Sequence, residues 1–257
     1  SGINLSGASY VGGLIGGSSN YVSFNNTFSN FTGTVNGTSY VGGLLGSGTA
    51  SITNSYATVS AVNGTSYVGG LAGSLSGSIT NSYFVGNIAA TSEYGGLAGQ
   101  LLAGNPVISN SFYNVNATNF TVNGTSSGGL LTPGGVFSTQ WNEWVNSNAN
   151  LSQRRIANNL TTTTIGNLTY YQLGSASDFS TLLGLSEYNT GYRFVLTSNI
   201  SLSGSATPYI PYLGATEFHG NGFTISDSAI SRQTSGLGLF GYVYGTNLHD
   251  LNISTGP

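Results

Sequence analysis

The chain has 257 residues, and only 4 % of them are charged, compared with roughly 25 % in an ordinary soluble domain. Its four basic residues and net charge of −3 provide no basic surface, so we expect neither a nucleic-acid partner nor binding to an anionic membrane. The absence of Cys excludes disulfides, thiolate metal sites and thiol nucleophiles. Because 39 % of the residues are hydrophobic and 16 are Tyr, we expect the chain to fold rather than to be disordered.

The surface of the folded chain must be wetted by groups other than charges. Ser, Thr, Asn and Gly dominate the sequence, and such a surface is either hydrated directly or covered with covalent sugar. No run of about 18 apolar residues occurs, so we expect no membrane insertion in this segment. Since the sequence starts without Met or a leader of basic and apolar residues, we expect a mature product or a piece of one.

One string of residues recurs along the chain. The near-identical copies are Ser9–Gly16, Ser39–Gly46 and Ser66–Gly73, and the weaker copies are Tyr94–Gly99, Gly128–Leu130 and Gly236–Gly241. Successive copies in the first half are 30, 27, 26 and 33 residues apart, which is typical of solenoids and propellers. In stacked turns the glycine pairs would lie at bends too tight for a Cβ. An inward ladder of leucines would follow them: Leu14, Leu44, Leu71 and Leu97.

A second string alternates with the first, so each repeat holds two short strands. Its copies are Ile52–Tyr56, Ile79–Tyr83, Ile108–Phe112 and, more loosely, Phe24–Phe28. We interpret the Asn in each copy as a buried structural ladder of hydrogen-bonded amides, consisting of Asn26, Asn54, Asn81 and Asn110. A tyrosine also recurs at the repeat period, which favours an aromatic ladder or, alternatively, a sugar-binding platform: Tyr10, Tyr40, Tyr67 and Tyr94.

These patterns divide the chain into three parts. Residues 1–131 are predicted to be solenoid turns, residues 132–171 an irregular insert, and residues 172–257 a second run of turns continuous with the first. The insert carries Trp141 and Trp144, which we interpret as contact residues for a partner or glycan, or as a hydrophobic plug on the solenoid flank. Its segment 138–145 is compatible with a short helix or a loop, and a helix capped by Ser177 or Asp178 is predicted at 177–183.

The two strings together resemble the GLUG repeat of bacterial and archaeal surface proteins. The second half is similar to the segment that usually precedes such repeats, through Tyr192–Ser203, Phe218–Ile225 and Gly238–Gly241. Asn199 and His219 stand where that family has Asp. The resemblance implies an all-β, right-handed parallel β-helix on a cell surface, of about nine turns, without catalytic residues.

The order of the two segments is rotated relative to that family. If the end of one copy were joined to the start of another, the step from Gly238 to the next Gly13 would be about 32 residues, close to the observed repeats. We therefore expect units that stack head to tail, either as separate chains or as tandem repeats of one long chain.

Asn-x-Ser/Thr sequons are numerous, and we predict N-linked glycans on them. They begin at Asn4, Asn25, Asn30, Asn36, Asn63, Asn116, Asn119, Asn123, Asn150, Asn159, Asn167, Asn199 and Asn252. Three of them, Asn36, Asn63 and Asn123, share the string Val-Asn-Gly-Thr-Ser before a strand, so we expect one exposed row along the solenoid. The alternative is that Asn-Gly is only good turn chemistry.

Candidate catalytic groups gather near the C-terminus, and we interpret them as structural. They are Glu217, His219, Asp227, His249 and Asp250. A β-helix can carry polysaccharide lyase or hydrolase sites, but His219 is predicted in a turn and Asp250 takes the place of a ladder Asn. No spacing of His or carboxylates suits zinc, so we predict no catalytic residue, metal or cofactor.

The sequence therefore predicts an extracellular or cell-surface glycoprotein without enzyme activity. Its expected role is to form a fibre, filament or sheath by head-to-tail stacking, with copies of itself as partners. The alternative is the stalk or adhesive repeat region of a larger adhesin.

Overall fold

A computed structural model describes residues 2–102, 107–114, 120–122, 135–136, 138, 142, 160–183, 191–228, 238–243 and 245–254. Parallel strands within them stack into a β-solenoid of about seven turns, with almost no helix. The all-β solenoid predicted from the sequence is confirmed, with fewer turns than the nine expected. Part of the chain between the two runs of strands lies outside the described residues.

The first run of strands contains the near-identical repeats. Its elements are β1 (Leu5–Ser6), β2 (Ser9–Gly12), β3 (Ile15–Gly17), β4 (Val22–Asn25), β5 (Phe28–Asn30), β6 (Thr34–Asn36), β7 (Ser39–Gly42), β8 (Leu45–Thr53), β9 (Tyr56–Asn63), β10 (Ser66–Gly69), β11 (Ala72–Thr80), β12 (Tyr83–Ala90), β13 (Ser92–Gly95), β14 (Ala98–Leu101), β15 (Val107–Ser109), β16 (Phe112–Asn114), β17 (Phe120–Val122) and β18 (Gly135–Val136). They form three parallel sheets whose orders are β1-β6-β9-β12-β16-β18, β13-β10-β7-β2 and β14-β11-β8-β3.

The second run begins with a hairpin. Its elements are β19 (Thr162–Ile165), β20 (Leu168–Leu173), α1 (Ala176–Ser180), β21 (Arg193–Leu196), β22 (Ile200–Ser201), β23 (Ile210–Leu213), β24 (Glu217–His219), β25 (Thr224–Ser226), β26 (Phe240–Val243), β27 (Asn247–His249) and β28 (Asn252–Ser254). Strands β19 and β20 pair antiparallel, and the sheets that follow are parallel, in the orders β20-β21-β24-β27, β22-β25-β28 and β23-β26. The domain boundaries remain a prediction.

The register of the first run follows the repeat of the sequence. Ile52 of β8 pairs with Ile79 of β11, and the Leu44 N–H donates a hydrogen bond to the Leu71 carbonyl at 2.9 Å. Identical side chains therefore meet at the spacing of adjacent strands, as the repeat predicts. Leu44, Leu71 and Leu97 are completely buried in the core.

The paired glycines allow the close approach of successive turns. A Cβ on Gly43 would collide with the carbonyl oxygen of Gly70, and a Cβ on Gly70 would collide with both Gly96 and the ring of Phe84. Only glycine lets the backbones and the aromatic core come this close.

The helix differs from its prediction in both cap and length. Its N-cap is Ser175, whose Oγ accepts a hydrogen bond from the Asp178 N–H at 3.1 Å. Asp178 lies in the first turn, and its carboxylate accepts from the Gly174 N–H at 3.0 Å. The prediction of Ser177 or Asp178 as the cap was wrong, because this reciprocal pair of bonds starts the helix two residues earlier. No helix among the described residues is long and apolar enough to span a bilayer.

Candidate functional site

The surface of the repeats carries stacked aromatic rings. The rings of Tyr10, Tyr40 and Tyr67 are nearly parallel, with centroids 4.9 and 4.8 Å apart. A second stack, which was not predicted from the sequence, consists of Phe28, Tyr56 and Tyr83. Its signal was already visible in the sequence, since these residues close the second string of each repeat.

Tyr94 does not belong to the first stack. It pairs with Val68 and is buried, whereas Glu93 takes the position equivalent to Tyr67. The repeat contains Ser-Glu-Tyr-Gly here instead of Ser-Tyr-Val-Gly, so the tyrosine is displaced by one residue and faces the opposite side of the strand.

The ladder asparagines lie at a corner of each turn. Asn26, Asn54, Asn81 and Asn110 have φ between 45° and 51°, in the left-handed region that Asn tolerates better than most residues. Asn81 Nδ2 donates to Asn54 Oδ1 at 3.2 Å. The expectation that these side chains are buried was wrong, because the corner leaves Asn26 and Asn54 exposed and the other two half-buried.

The buried polar ladder is formed by the serine that follows each asparagine. Ser55, Ser82 and Ser111 are buried, and each hydroxyl accepts a backbone N–H from the preceding turn. Each also donates to the carbonyl of the residue two positions earlier, such as Thr80 for Ser82 at 2.9 Å. A hydroxyl therefore satisfies the backbone at the corner in each of these three turns.

The leucine ladder is buried in the inner turns and partly exposed to solvent in the first turn. Leu14 stacks on Leu44 through a backbone hydrogen bond of 3.0 Å, yet 48 % of its surface is exposed. No described strand covers the outer side of its turn.

The sequons occupy different environments. Asn36 and Asn63 are half-buried and opposite each other, and Asn63 Nδ2 donates to Asn36 Oδ1 at 2.7 Å. They are therefore less open than the exposed row that we expected. The exposed sequon asparagines are Asn4, Asn25, Asn30, Asn167, Asn199 and Asn252. Those outside the described residues are Asn116, Asn119, Asn123, Asn150 and Asn159, together with the two tryptophans Trp141 and Trp144.

A cluster of ionisable side chains lies on the outer face of the sheet β20-β21-β24-β27. Phe194 and Phe218 point into the core, so the alternate residues of their strands face outward. Arg193 pairs with Glu217, and His219 pairs with His249 on the next turn. Both histidines of the chain are therefore neighbours, with ring centroids 4.3 Å apart.

Glu217 is held from three sides. Its Oε1 accepts the Tyr170 hydroxyl at 2.9 Å and lies 2.8 Å from His249 Nε2, while Arg193 Nε is 3.7 Å from Oε2. On the other side of the imidazole, His249 Nδ1 lies 2.9 Å from Asp250 Oδ2. We name these five residues, together with His219, the polar cluster: Tyr170, Arg193, Glu217, His219, His249 and Asp250.

Charge and burial shift the pKa values within the polar cluster. The hydrogen bond with Asp250, followed by the one with Glu217, raises the pKa of His249 against the opposing effect of burial. The bond with His249 lowers the pKa of Asp250. Burial alone would raise the pKa of Glu217, but the bonds from His249 and Tyr170 outweigh it, and the net pKa is lowered. An imidazolium bridging two carboxylates is thus favoured.

Two expectations about this region change. His219 lies in strand β24 and not in a turn, because the parallel pairing of β24 with β21 extends to His219, which lies opposite Val195. Asp227 bonds Ser201 at 2.8 Å, away from the polar cluster. The three groups of Glu217, His219 and His249 have ligand atoms within 4.8 Å of one another, although their spacing in the sequence does not suggest a metal site.

The two ends of the solenoid expose side chains that inner turns bury. Ile253 is 60 % exposed, whereas Ile225, its partner in the turn below, is completely buried. Leu248 is 41 % exposed over the buried Phe218. At the opposite end, Leu14 is exposed, whereas Leu44, which its backbone contacts in the next turn, is completely buried.

Comparison with known proteins identifies one motif. Residues 64–89 match the GLUG motif, which supports assigning the chain to the GLUG-repeat family. The match covers β10, β11 and most of β12, which is about one turn of the solenoid. No curated protein and no solved structure matches the chain. The motif and the fold fit a repeat-containing surface protein that is structural or adhesive rather than catalytic.

Proposed function

We propose that the chain is an extracellular structural glycoprotein whose β-solenoid units stack head to tail into a fibre, filament or sheath. The observation that carries the proposal is the pair of unpaired edges on the first and last described turns, which we call the open ends. Strands β1 to β4 at one end, and β26 to β28 at the other, each lack a described neighbour on their outer side. Unpaired parallel edges with exposed apolar side chains are templates for another turn.

A second copy is the occupant that fits these edges best. Inward residues such as Leu14 at one end and Ile253 at the other need an apolar layer above them, and a turn of the same solenoid supplies one. An end-to-end contact of this kind does not close on itself, so it produces filaments. With turns about 4.8 Å apart, a unit of about seven to nine turns gives an axial repeat of roughly 34 to 43 Å.

Electron microscopy of the native or purified material tests this arrangement. We expect unbranched filaments with that axial repeat, whose length increases with protein concentration. Isolated rods tipped by another domain would favour the alternative, in which the chain is the stalk or adhesive region of a larger adhesin.

A charge placed in one open end should block assembly without unfolding the unit. Ile253→Asp changes a side chain that is already exposed, so the stability of the isolated unit should change little. Leu168→Asp is the matched control, because Leu168 is 41 % exposed but lies on β20, away from both open ends. We expect Ile253→Asp to remain monomeric in sedimentation and Leu168→Asp to assemble. Equal assembly of both variants would contradict end-to-end stacking.

The surface sugar is proposed to lie on the exposed sequons. Asn167 is the best acceptor, because it forms the two-residue tip of the β19–β20 hairpin with Gly166 and has φ of 68°. Asn36 and Asn63 are poorer acceptors, since their amides bond to each other. Glycopeptide mass spectrometry of native material should find a glycan on Asn167 at higher occupancy than on Asn36 or Asn63. An unmodified Asn167 in native material would refute the assignment.

A further inference from the structure

We propose that Glu217, His219 and His249 form a binding site for a divalent ion of the zinc class. Two imidazole nitrogens and one carboxylate oxygen are a donor set that suits Zn²⁺, Ni²⁺ or Cu²⁺. Three protein ligands leave one position for water. The proposal does not depend on head-to-tail assembly.

The solenoid brings these ligands together from residues far apart in the sequence. Glu217 and His219 occupy alternate positions of β24, so both face outward, and His249 lies opposite His219 on β27. The ligand atoms of the three residues lie within 4.8 Å of one another. Zinc binds its ligand atoms at about 2.0 to 2.1 Å, which places these atoms roughly 3.3 Å from one another. Small side-chain rotations would bring the three ligand atoms to this separation.

The groups around the three ligands support metal binding. Asp250 Oδ2 lies 2.9 Å from His249 Nδ1, which leaves Nε2 directed toward Glu217. A carboxylate on the far nitrogen of a histidine is the usual outer support of a metal-bound imidazole. The Tyr170 hydroxyl and the Arg193 guanidinium contact the Glu217 carboxylate and restrain it.

The three ligands are partly exposed to solvent. The side chains of Glu217, His219 and His249 are 16 %, 20 % and 33 % exposed, so solvent reaches the site while each ligand remains restrained. A metal would take the place of the proton in the hydrogen bond between His249 Nε2 and Glu217 Oε1, which are 2.8 Å apart. That proton would go to solvent.

Binding would join two turns of the solenoid. The ligands come from β24 and from β27, which is the strand of the last described turn in this sheet. The ion would therefore fasten this turn to the one below and raise the thermal stability of the protein.

Metal titration of the whole chain, produced without a histidine tag, tests the site. Both histidines of the chain are in the cluster, so any imidazole-metal signal must come from it. After treatment with EDTA, we expect one equivalent of Zn²⁺ to bind, measured by competition with a chromophoric chelator. Co²⁺ should give the visible absorption bands of a low-coordinate nitrogen and oxygen site. A wild-type protein that binds neither ion overturns the proposal and identifies the cluster as an ion-pair network.

Variants assign the ligands. Glu217→Gln, His219→Asn and His249→Asn should each weaken Zn²⁺ binding by more than about 100-fold, and Asp250→Asn by about 10- to 100-fold, as for an outer carboxylate. Glu93→Gln is the control, because it replaces a glutamate by glutamine in the first run of strands. It should leave the Zn²⁺ affinity unchanged. Unchanged Zn²⁺ affinity in Glu217→Gln and His249→Asn would also overturn the proposal. If a variant does not fold, the wild-type protein still tests the proposal. Its Co²⁺ spectrum shows whether the site forms, and its melting temperature shows whether Zn²⁺ stabilises the fold.

Discussion

Truncation of Leu71 should destabilise the solenoid far more than truncation of Leu14, although both occupy the same position of the repeat. Leu71 is completely buried, with Leu44 and Leu97 on its two sides. Leu71→Ala removes three carbons from the core, a loss of roughly 2.4 kcal/mol at about 0.8 kcal/mol for each. The cavity between two fixed turns adds to this loss, so we expect about 3 to 4 kcal/mol in all.

The same substitution at Leu14 has a smaller cost. Since 48 % of Leu14 is exposed, only about half of the transfer free energy is lost, and the open end leaves no closed cavity. We expect about 1 kcal/mol or less. The comparison is internally controlled, because the two sites share the flanking residues Gly-Gly-Leu.

Urea unfolding at low protein concentration, followed by circular dichroism, measures both free energies on the monomer. Hydrogen exchange of the amides in the adjacent turns then shows whether the loss is local to the substituted turn. Equal losses at the two sites would refute the inference that stacking of turns buries this ladder. In assembled filaments the cost of Leu14→Ala should rise, because the next unit would cover it.

Three further predictions concern the repeat surface and its corners. Gly70→Ala should prevent native stacking, with a loss above about 3 kcal/mol seen by thermal unfolding, because its Cβ collides with the Gly96 backbone and the Phe84 ring. Asn54→Ala should cost about 1 to 2 kcal/mol and Asn54→Gly much less, since φ is 49° there; equal urea midpoints would contradict this. Tyr40→Ala should cost about 1 to 2 kcal/mol by removing two ring stacks, and Tyr40→Phe should restore most of it.

The repeat, together with the resemblance to the GLUG repeat, was enough to predict the solenoid and the pairing of its turns. The inner turns of the first run repeat the same side chains, so the positions of Leu44 and Leu71 follow from their spacing alone once the strands are parallel. The same reasoning failed where one residue was inserted or displaced, as at Tyr94, because a shift of one position moves a side chain to the opposite face of a strand.

The corner residues show a different limit of the sequence. Periodicity placed Asn54 and Asn81 in register, but it could not distinguish a buried amide from an exposed left-handed corner. The buried hydrogen bonds belong to the adjacent serines, such as Ser82, whose short hydroxyl reaches backbone groups of two turns. Which polar residue is buried depends on the local backbone angle, which the repeat does not encode.

Four of the six residues of the polar cluster were candidates from the sequence, but the contacts among them depended on tertiary structure. Glu217 and His249 are 32 residues apart, so no local motif joins them, and their spacing in the sequence indicated no metal site. The sequence by itself determined a stack of parallel turns, because near-identical strings that recur every 26 to 33 residues can pair with one another only in register. Only the folded solenoid decided which unlike residues meet, because the contacts of a non-repeated side chain depend on the turns above and below it.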